Sequence, residues 1–123
     1  MAEPSSWIAV VDDDPAVLRA LSRLLRSHAF RVQSFGSGQK FLAALPDGLP
    51  ICLIVDLQMP VMNGLEIQQH LVSNGIEIPT ILISAYGDAA DEGTFVASLQ
   101  KPLQEDILFS TIDKAIGSSG NAR

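Results

Sequence analysis

The sequence is poor in cysteine and in positive charge, and it lacks a long apolar run. Its 123 residues contain a single cysteine, Cys52, so no disulfide framework can form within the chain. Lys and Arg number 8 against 14 Asp and Glu, which gives a net charge of -6. This balance argues against a nucleic-acid partner, because phosphate binding needs a basic footprint.

Targeting signals are also missing from the sequence. No apolar run approaches the ~18 residues that a membrane span needs. Residues 1–4, MAEP, lack the basic start and apolar stretch of a signal peptide. A lone cysteine fits a reducing compartment. We therefore expect a soluble, cytoplasmic protein with no membrane partner.

What the chain does contain is a regular alternation of apolar runs and helical patterns. With 47% apolar residues, it can fill the core of one domain. Strands are indicated at residues 7–11, 30–35, 51–55, 80–84 and 95–99, with a helical pattern after most of them. Runs that are apolar throughout predict a parallel sheet with helices on both faces. We expect a domain over residues 1–117, and a tail or the start of a linker over 118–123.

Local signals support these elements. Asp14 and Pro15 form a good N-cap and first residue for the first helix. Asn63 and Glu66 have the spacing of a capping box at the third helix. Cys52 lies inside an apolar run, which favours a buried hydrophobic role.

Polar residues follow the predicted strands, and functional sites in parallel sheets lie at the carboxyl ends of the strands. Each of these residues is ordinary by itself: an aspartate caps helices, and serine and lysine are common at strand ends. For Asp14, beside Pro15, capping is the favoured interpretation. The set as a whole indicates a site; it comprises Asp12, Asp13, Asp14, Asp56, Ser84 and Lys101.

Such a set suits phosphoryl transfer. Carboxylates at one edge of a sheet repel each other, and a hard cation such as Mg²⁺ relieves the repulsion with few protein ligands. A carboxylate can attack phosphorus, while a metal ion and a lysine take up charge on the phosphoryl oxygens.

Four stretches carry a resemblance to a known family: VVDDD at 10–14, VDLQMPVMNG at 55–64, LISA at 82–85 and LQKP at 99–102. In this order they resemble the receiver domain of two-component response regulators, nearest to regulators of the nitrogen-fixation and LuxR-output type. The resemblance implies an α/β, flavodoxin-like (βα)5 fold, with a doubly wound five-stranded parallel sheet in the order 2-1-3-4-5. It covers nearly the whole chain.

The resemblance also implies roles for individual residues. Asp56 would be the nucleophile that takes a phosphoryl group from a sensor histidine kinase. The Mg²⁺ ligands would be Asp13, Asp56 and the carbonyl of Gln58, with Asp12 acting mainly through water. Ser84 and Lys101 would contact the phosphoryl oxygens, and Ala85 would leave the group room to enter.

The resemblance implies a signalling role. The domain would lose its phosphoryl group slowly and would have no separate turnover reaction. Further partners that it allows are an output domain or target protein and a second copy of the chain.

Two departures from the family pattern keep an alternative open. The segment between Ser84 and Lys101 is short, which predicts a shortened or irregular fourth helix over residues 87–94. Ser98 stands where the family has an aromatic residue that moves inward on activation. A docking or dimerisation module that does not use phosphorylation therefore remains an alternative.

Other enzyme and cofactor classes fit less well. An aspartate-nucleophile phosphatase would need a second aspartate at Gln58. A nucleotide- or flavin-binding protein would need a glycine-rich phosphate loop, which the sequence lacks.

Overall fold

The computed structural model describes residues 6–84, 95–101 and 103–120. Parallel pairing within this part of the chain joins five strands in the order β2-β1-β3-β4-β5, with helices on both faces. The expected doubly wound sheet is thereby confirmed. The strands are β1 (Ile8–Val11), β2 (Val32–Phe35), β3 (Cys52–Asp56), β4 (Thr80–Ser84) and β5 (Phe95–Gln100). The helices are α1 (Pro15–Ser27), α2 (Gly38–Ala44), α3 (Gly64–Ser73) and α4 (Glu105–Gly120), and a 3-10 turn spans Leu45–Asp47.

Helix starts follow the local signals in the sequence. The Asp14 side chain accepts a hydrogen bond from the Ala16 N–H at 2.9 Å, with Pro15 at the first helical position of α1. At α3, the Asn63 and Glu66 side chains each accept the other residue's N–H at 2.9 Å. Both predicted caps are confirmed.

In the described part of the chain, the helices cover both faces of the sheet, two on each face. Every residue of β1, β3 and β4 is buried, as expected for central parallel strands. One core layer packs α1 and α4 on the sheet through Leu21, Leu25, Leu108 and Ile112. The other packs α2 and α3 through Phe41, Ile67 and Leu71.

Cys52 is fully buried in the layer that contains α1 and α4. Burial raises the pKa of its thiol to about 12, so the thiol stays neutral at physiological pH. The predicted hydrophobic role is confirmed.

Element boundaries differ from the sequence patterns by one residue at β1, β3 and β5, and by more at two other places. β2 begins at Val32 and not at residue 30, because the Phe30 N–H donates to the Leu25 carbonyl at 3.2 Å and closes the end of α1. The apolar stripe of α4 ends at Ile116, but the helix continues to Gly120, since polar residues can extend a helix beyond its packed face. The domain boundary at residue 117 stays a prediction.

The predicted shortening of the fourth helix concerns residues 87–94, which lie outside the described residues, as do Ala85 and Pro102. Within the described part of the chain, no helix has both the length and the apolar character to cross a membrane.

Candidate functional site

Three strand ends bring two carboxylates and one ammonium together. Asp12 directly follows β1, and Asp56 is the last residue of the neighbouring strand β3. Lys101 directly follows β5, and its Nζ lies 3.4 Å from Asp56 Oδ2 and 3.5 Å from Asp12 Oδ2. Asp12 and Asp56 are 2% and 5% exposed, so this ammonium bridges two carboxylates that have lost most of their water.

The other oxygen of each carboxylate is held by the backbone. Asp12 Oδ1 accepts a hydrogen bond from the Asp14 N–H at 2.9 Å. Asp56 Oδ1 accepts one from the Gln58 N–H at 3.2 Å. In both cases the donor lies two residues further along the chain, so the same local turn orients each carboxylate with its second oxygen toward Lys101.

Burial and the charges in this cluster shift two pKa values. Burial raises the pKa of Asp12, and the nearby negative charge of Asp56 adds to the rise; the Asp14 N–H and Lys101 act in the opposite direction. Burial alone would lower the pKa of Lys101, but the charges of Asp12 and Asp56 outweigh it and raise the pKa. Lys101 is therefore a stable cation at neutral pH.

A third carboxylate completes an acidic cluster. Asp13 is exposed, and one oxygen from each of Asp12, Asp13 and Asp56 lies within 4.8 Å of the other two. Oxygen donors this close suit a hard divalent cation. Gln58 enters the site through its N–H, and its carbonyl as a metal ligand stays a prediction.

Ser84 is placed beside this cluster by sheet pairing. Asp56 pairs with Ile83 of β4, and Ser84 is the next residue and the last of that strand. The Ser84 carbonyl accepts the Lys101 N–H at 2.8 Å, so the ends of β4 and β5 are joined at the site. The structure therefore brings together Asp12, Asp13, Asp56, Ser84 and Lys101.

Asp14 has a different place from the rest of the acidic run. Its side chain caps α1, as the sequence favoured, and only its N–H reaches the site, through Asp12.

Gly64 supports the site in a way that sequence reasoning missed. A Cβ at this first residue of α3 would lie 2.9 Å from the Asp56 carbonyl oxygen and 2.8 Å from Leu82 Cδ1. The Gly64 N–H donates to the Leu57 carbonyl at 3.2 Å, so α3 approaches the end of β3 closely. The signal available in the sequence was a glycine at the first position of a capped helix, where no tight loop calls for a glycine.

Comparison with known proteins agrees with this geometry. The family model described as response regulator receiver domain matches residues 8–113. Response regulator protein TmoT of Ectopseudomonas mendocina is 40% identical over 121 residues, covering 94% of this chain and 55% of that protein. Transcriptional regulatory protein FixJ of Rhizobium meliloti is 32% identical, covering 88% of this chain and 55% of that protein.

Solved structures agree as well. The crystal structure of FixJ-N superposes with a TM-score of 0.87 at 29% identity, covering 100% of both chains. Response regulator StyR gives a TM-score of 0.84 at 33% identity, covering 92% of this chain and 60% of that one. The chain spans about half the length of the curated relatives it matches. It belongs to the response regulator receiver domain family of two-component signalling.

Proposed function

We propose that Asp56 accepts a phosphoryl group from the phosphohistidine of a sensor histidine kinase and that this modification switches binding to an output domain or target protein. The observation that carries the proposal is the position of Lys101, whose Nζ lies 3.4 Å from Asp56 Oδ2 and 3.5 Å from Asp12 Oδ2. This ammonium can stabilise the negative charge on the phosphoryl oxygens while the group is transferred to Asp56.

The reaction is a displacement at phosphorus. A carboxylate oxygen of Asp56 forms a bond to phosphorus while the bond from phosphorus to the histidine nitrogen breaks, and that nitrogen keeps the electron pair. The product is an acyl phosphate. The Gln58 N–H, 3.2 Å from Asp56 Oδ1, restricts rotation of the carboxylate and leaves its other oxygen beside Lys101.

The acidic cluster fits Mg²⁺. Asp12, Asp13 and Asp56 offer three carboxylate oxygens within 4.8 Å of each other, and Lys101 supplies a single positive charge beside them. The raised pKa of Asp12 indicates that burial and repulsion are not fully offset by Lys101. We propose that these carboxylates and the carbonyl of Gln58 hold Mg²⁺, which when bound would neutralise charge on the phosphoryl oxygens.

Ser84 would bind the phosphoryl oxygens through its hydroxyl, because its place at the end of β4 is one residue beyond the sheet partner of Asp56. The domain would act as a carrier of a signal: the acyl phosphate forms once, persists and is slowly hydrolysed. The receiver domain is proposed to span residues 1–117.

One observation favours a second candidate, a docking or dimerisation module that does not depend on phosphate. Ser98 lies exposed on β5, at the position where the family resemblance implies an inward-moving aromatic residue. The complete set of Asp12, Asp13, Asp56 and Lys101 supports the phosphoacceptor function more strongly, because a docking role does not need an ammonium held between two buried carboxylates.

Incubation with acetyl phosphate and Mg²⁺, followed by intact-protein mass measurement, tests the proposal. We expect the chain to gain one phosphoryl group, and Asp56→Asn to gain none. Asp14→Asn is the matched control, since Asp14 is also acidic but caps α1, and it should be phosphorylated like the wild type. A wild-type chain that gains no phosphoryl group would favour the docking module, and a gain that persists in Asp56→Asn would refute the assigned nucleophile.

A further inference from the structure

Within the described part of the chain, two residues other than glycine have a positive φ. Ala29 has a φ of 70° and Val61 has a φ of 71°. This backbone conformation is uncommon for alanine and an outlier for a β-branched residue such as valine, because Cβ comes too close to the neighbouring carbonyl oxygen. It costs free energy, so the surrounding structure has to hold such a residue in place.

The positive φ of Ala29 ends a helix. The Ala29 N–H donates to the Arg26 carbonyl at 2.9 Å, and the Phe30 N–H donates to the Leu25 carbonyl at 3.2 Å. These two hydrogen bonds form a Schellman motif, in which the residue after the helix cap has a left-handed backbone. The strain at Ala29 is therefore part of an ordinary helix end.

The positive φ of Val61 belongs to a different turn, in the connection between β3 and α3. The Met62 N–H donates to the Pro60 carbonyl at 2.7 Å, so Val61 is the central residue of a γ-turn. A γ-turn with a positive φ at its centre is the rare and strained form. The Val61 side chain is 81% exposed, so burial of its methyl groups does not offset this strain.

Neighbours that pack in the core force the turn at Val61. Met59 is 9% exposed and belongs to the core layer of α2 and α3, and Met62 packs against the same layer. Only Pro60 and Val61 lie between these two methionines, so the chain leaves the core and returns to it within two residues. Because the ring of Pro60 fixes its own φ, the reversal falls on Val61.

Hydrogen bonds at both ends close this connection into a loop. The Leu57 N–H donates to the Ile83 carbonyl at 2.7 Å, and the Leu57 carbonyl accepts the Gly64 N–H at 3.2 Å. Gln58 is the next residue of the loop, and its N–H donates to Asp56 Oδ1 at 3.2 Å. Because Gln58 lies between the closed end of the loop and the strained turn, a relaxed turn would loosen the N–H that orients the carboxylate.

We propose that Val61 is a positioning residue, whose strained γ-turn holds the Gln58 N–H on the Asp56 carboxylate. A branched side chain limits the turn to a narrow range of backbone angles, whereas glycine would allow a wide range. The chain thus has lower stability and a more rigid connection after β3. This inference rests on the proposed phosphorylation of Asp56, but the order of the Gln58 amide is measured on the unmodified chain.

Val61→Gly is the test, and its effects on stability and on reaction rate have opposite signs. Glycine relieves the strain, so the midpoint of urea unfolding should rise despite the greater entropy that glycine gives the unfolded chain. The Gln58 amide should become mobile, and its ¹⁵N order parameter should fall from about 0.85 to about 0.6 or less. Phosphorylation by acetyl phosphate should slow by about tenfold, because Asp56 is less well oriented.

Two further variants are the controls. Ala29→Gly relieves the other strained residue, so it should raise the urea midpoint and leave the phosphorylation rate and the Gln58 amide unchanged. Val61→Ile keeps the branched side chain and should match the wild type in all three measurements. Because acetyl phosphate is a small donor, a slower rate would not reflect weaker docking of a kinase.

Several results would overturn the proposal. They are a lower urea midpoint, an unchanged Gln58 order parameter or an unchanged phosphorylation rate in Val61→Gly, and equal slowing in Ala29→Gly or Val61→Ile. A wild-type chain that takes up no phosphoryl group would refute the proposed function instead. The Gln58 order parameter would then still decide whether Val61 holds this amide in place.

Discussion

The chain makes the same local turn at the ends of β1 and β3, but the connections from these strands to the next helix differ. Asp12 and Asp56 each accept an N–H from two residues further on, and each directs its other oxygen toward Lys101. After β1, α1 follows at once, and the connection consists of the three aspartates 12–14. After β3, residues 57–63 intervene before α3 and contain no acidic side chain.

This difference gives the two strand ends different charge. The short connection places Asp13 beside Asp12, so the β1 end concentrates negative charge suited to a cation. The long connection leaves Asp56 as a single carboxylate followed by neutral residues, with Gly64 packed against its carbonyl oxygen. Under the proposed function, the same local turn would orient a metal-binding carboxylate after β1 and the nucleophilic carboxylate at the end of β3, and the residues that follow the turn differ accordingly.

The sharpest test of this comparison removes the cation that both strand ends share. Lys101→Met should lower the initial rate of phosphorylation by acetyl phosphate by about 100-fold or more, a loss typical of a group that stabilises transition-state charge. The methionine keeps the length of the side chain, so the loss would reflect the charge. The rate is followed as the gain of intact mass in excess Mg²⁺.

Lys114→Met is the matched control for Lys101→Met. Lys114 is exposed on α4, and no residue of the acidic cluster is paired with it. Equal rates for the two variants would mean that the ammonium at the site only balances charge and has no part in the reaction.

The close packing of α3 against the end of β3 can be tested separately from the charge of Lys101, by a substitution at Gly64. Gly64→Ala puts a Cβ within 3.0 Å of the Asp56 carbonyl oxygen and of Leu82 Cδ1, so the strand end or the helix must shift. We expect a loss of about 1–3 kcal/mol in the free energy of unfolding, as for other overpacked sites, together with slower phosphorylation. Urea denaturation measures the first effect and the mass assay the second.

Gly36→Ala provides the comparison for Gly64→Ala, since a Cβ at Gly36 would meet nothing within 4 Å. It should leave the phosphorylation rate unchanged. If Gly64→Ala unfolds at the same urea concentration as Gly36→Ala, then α3 has room to move and does not fix the position of Asp56.

Features set by neighbouring residues could be predicted from the sequence. The cap by Asp14 and the capping box of Asn63 and Glu66 depend on atoms a few residues apart. The buried strands follow from continuous apolar runs, as for β3. The strand ends that carry the polar residues were predictable for the same reason.

Features set by distant residues needed the fold. Lys101 lies 45 positions from Asp56, and their contact depends on the order of strands in the sheet, which the family resemblance supplied and the residues alone did not. The close approach of Gly64 to Asp56 depends on how α3 packs. The stack of the Phe30 ring on Phe109 of α4 likewise depends on how distant parts of the chain pack.

The smallest expected effect distinguishes Asp13 from Asp14 in the acidic run that follows β1. Asp14→Ala removes the cap of α1 and should cost about 1 kcal/mol of stability, whereas Asp13→Ala, at an exposed position, should change it by less than about 0.5 kcal/mol. Mg²⁺ affinity should respond in the opposite way: Asp13→Ala weakens it, because an oxygen of the cluster is lost, and Asp14→Ala leaves it near the wild-type value. Urea unfolding in EDTA and a calorimetric Mg²⁺ titration measure the two quantities. If Asp14→Ala weakened Mg²⁺ binding as much as Asp13→Ala, capping and metal binding would not be separate tasks, and the β1 connection would act as one acidic unit.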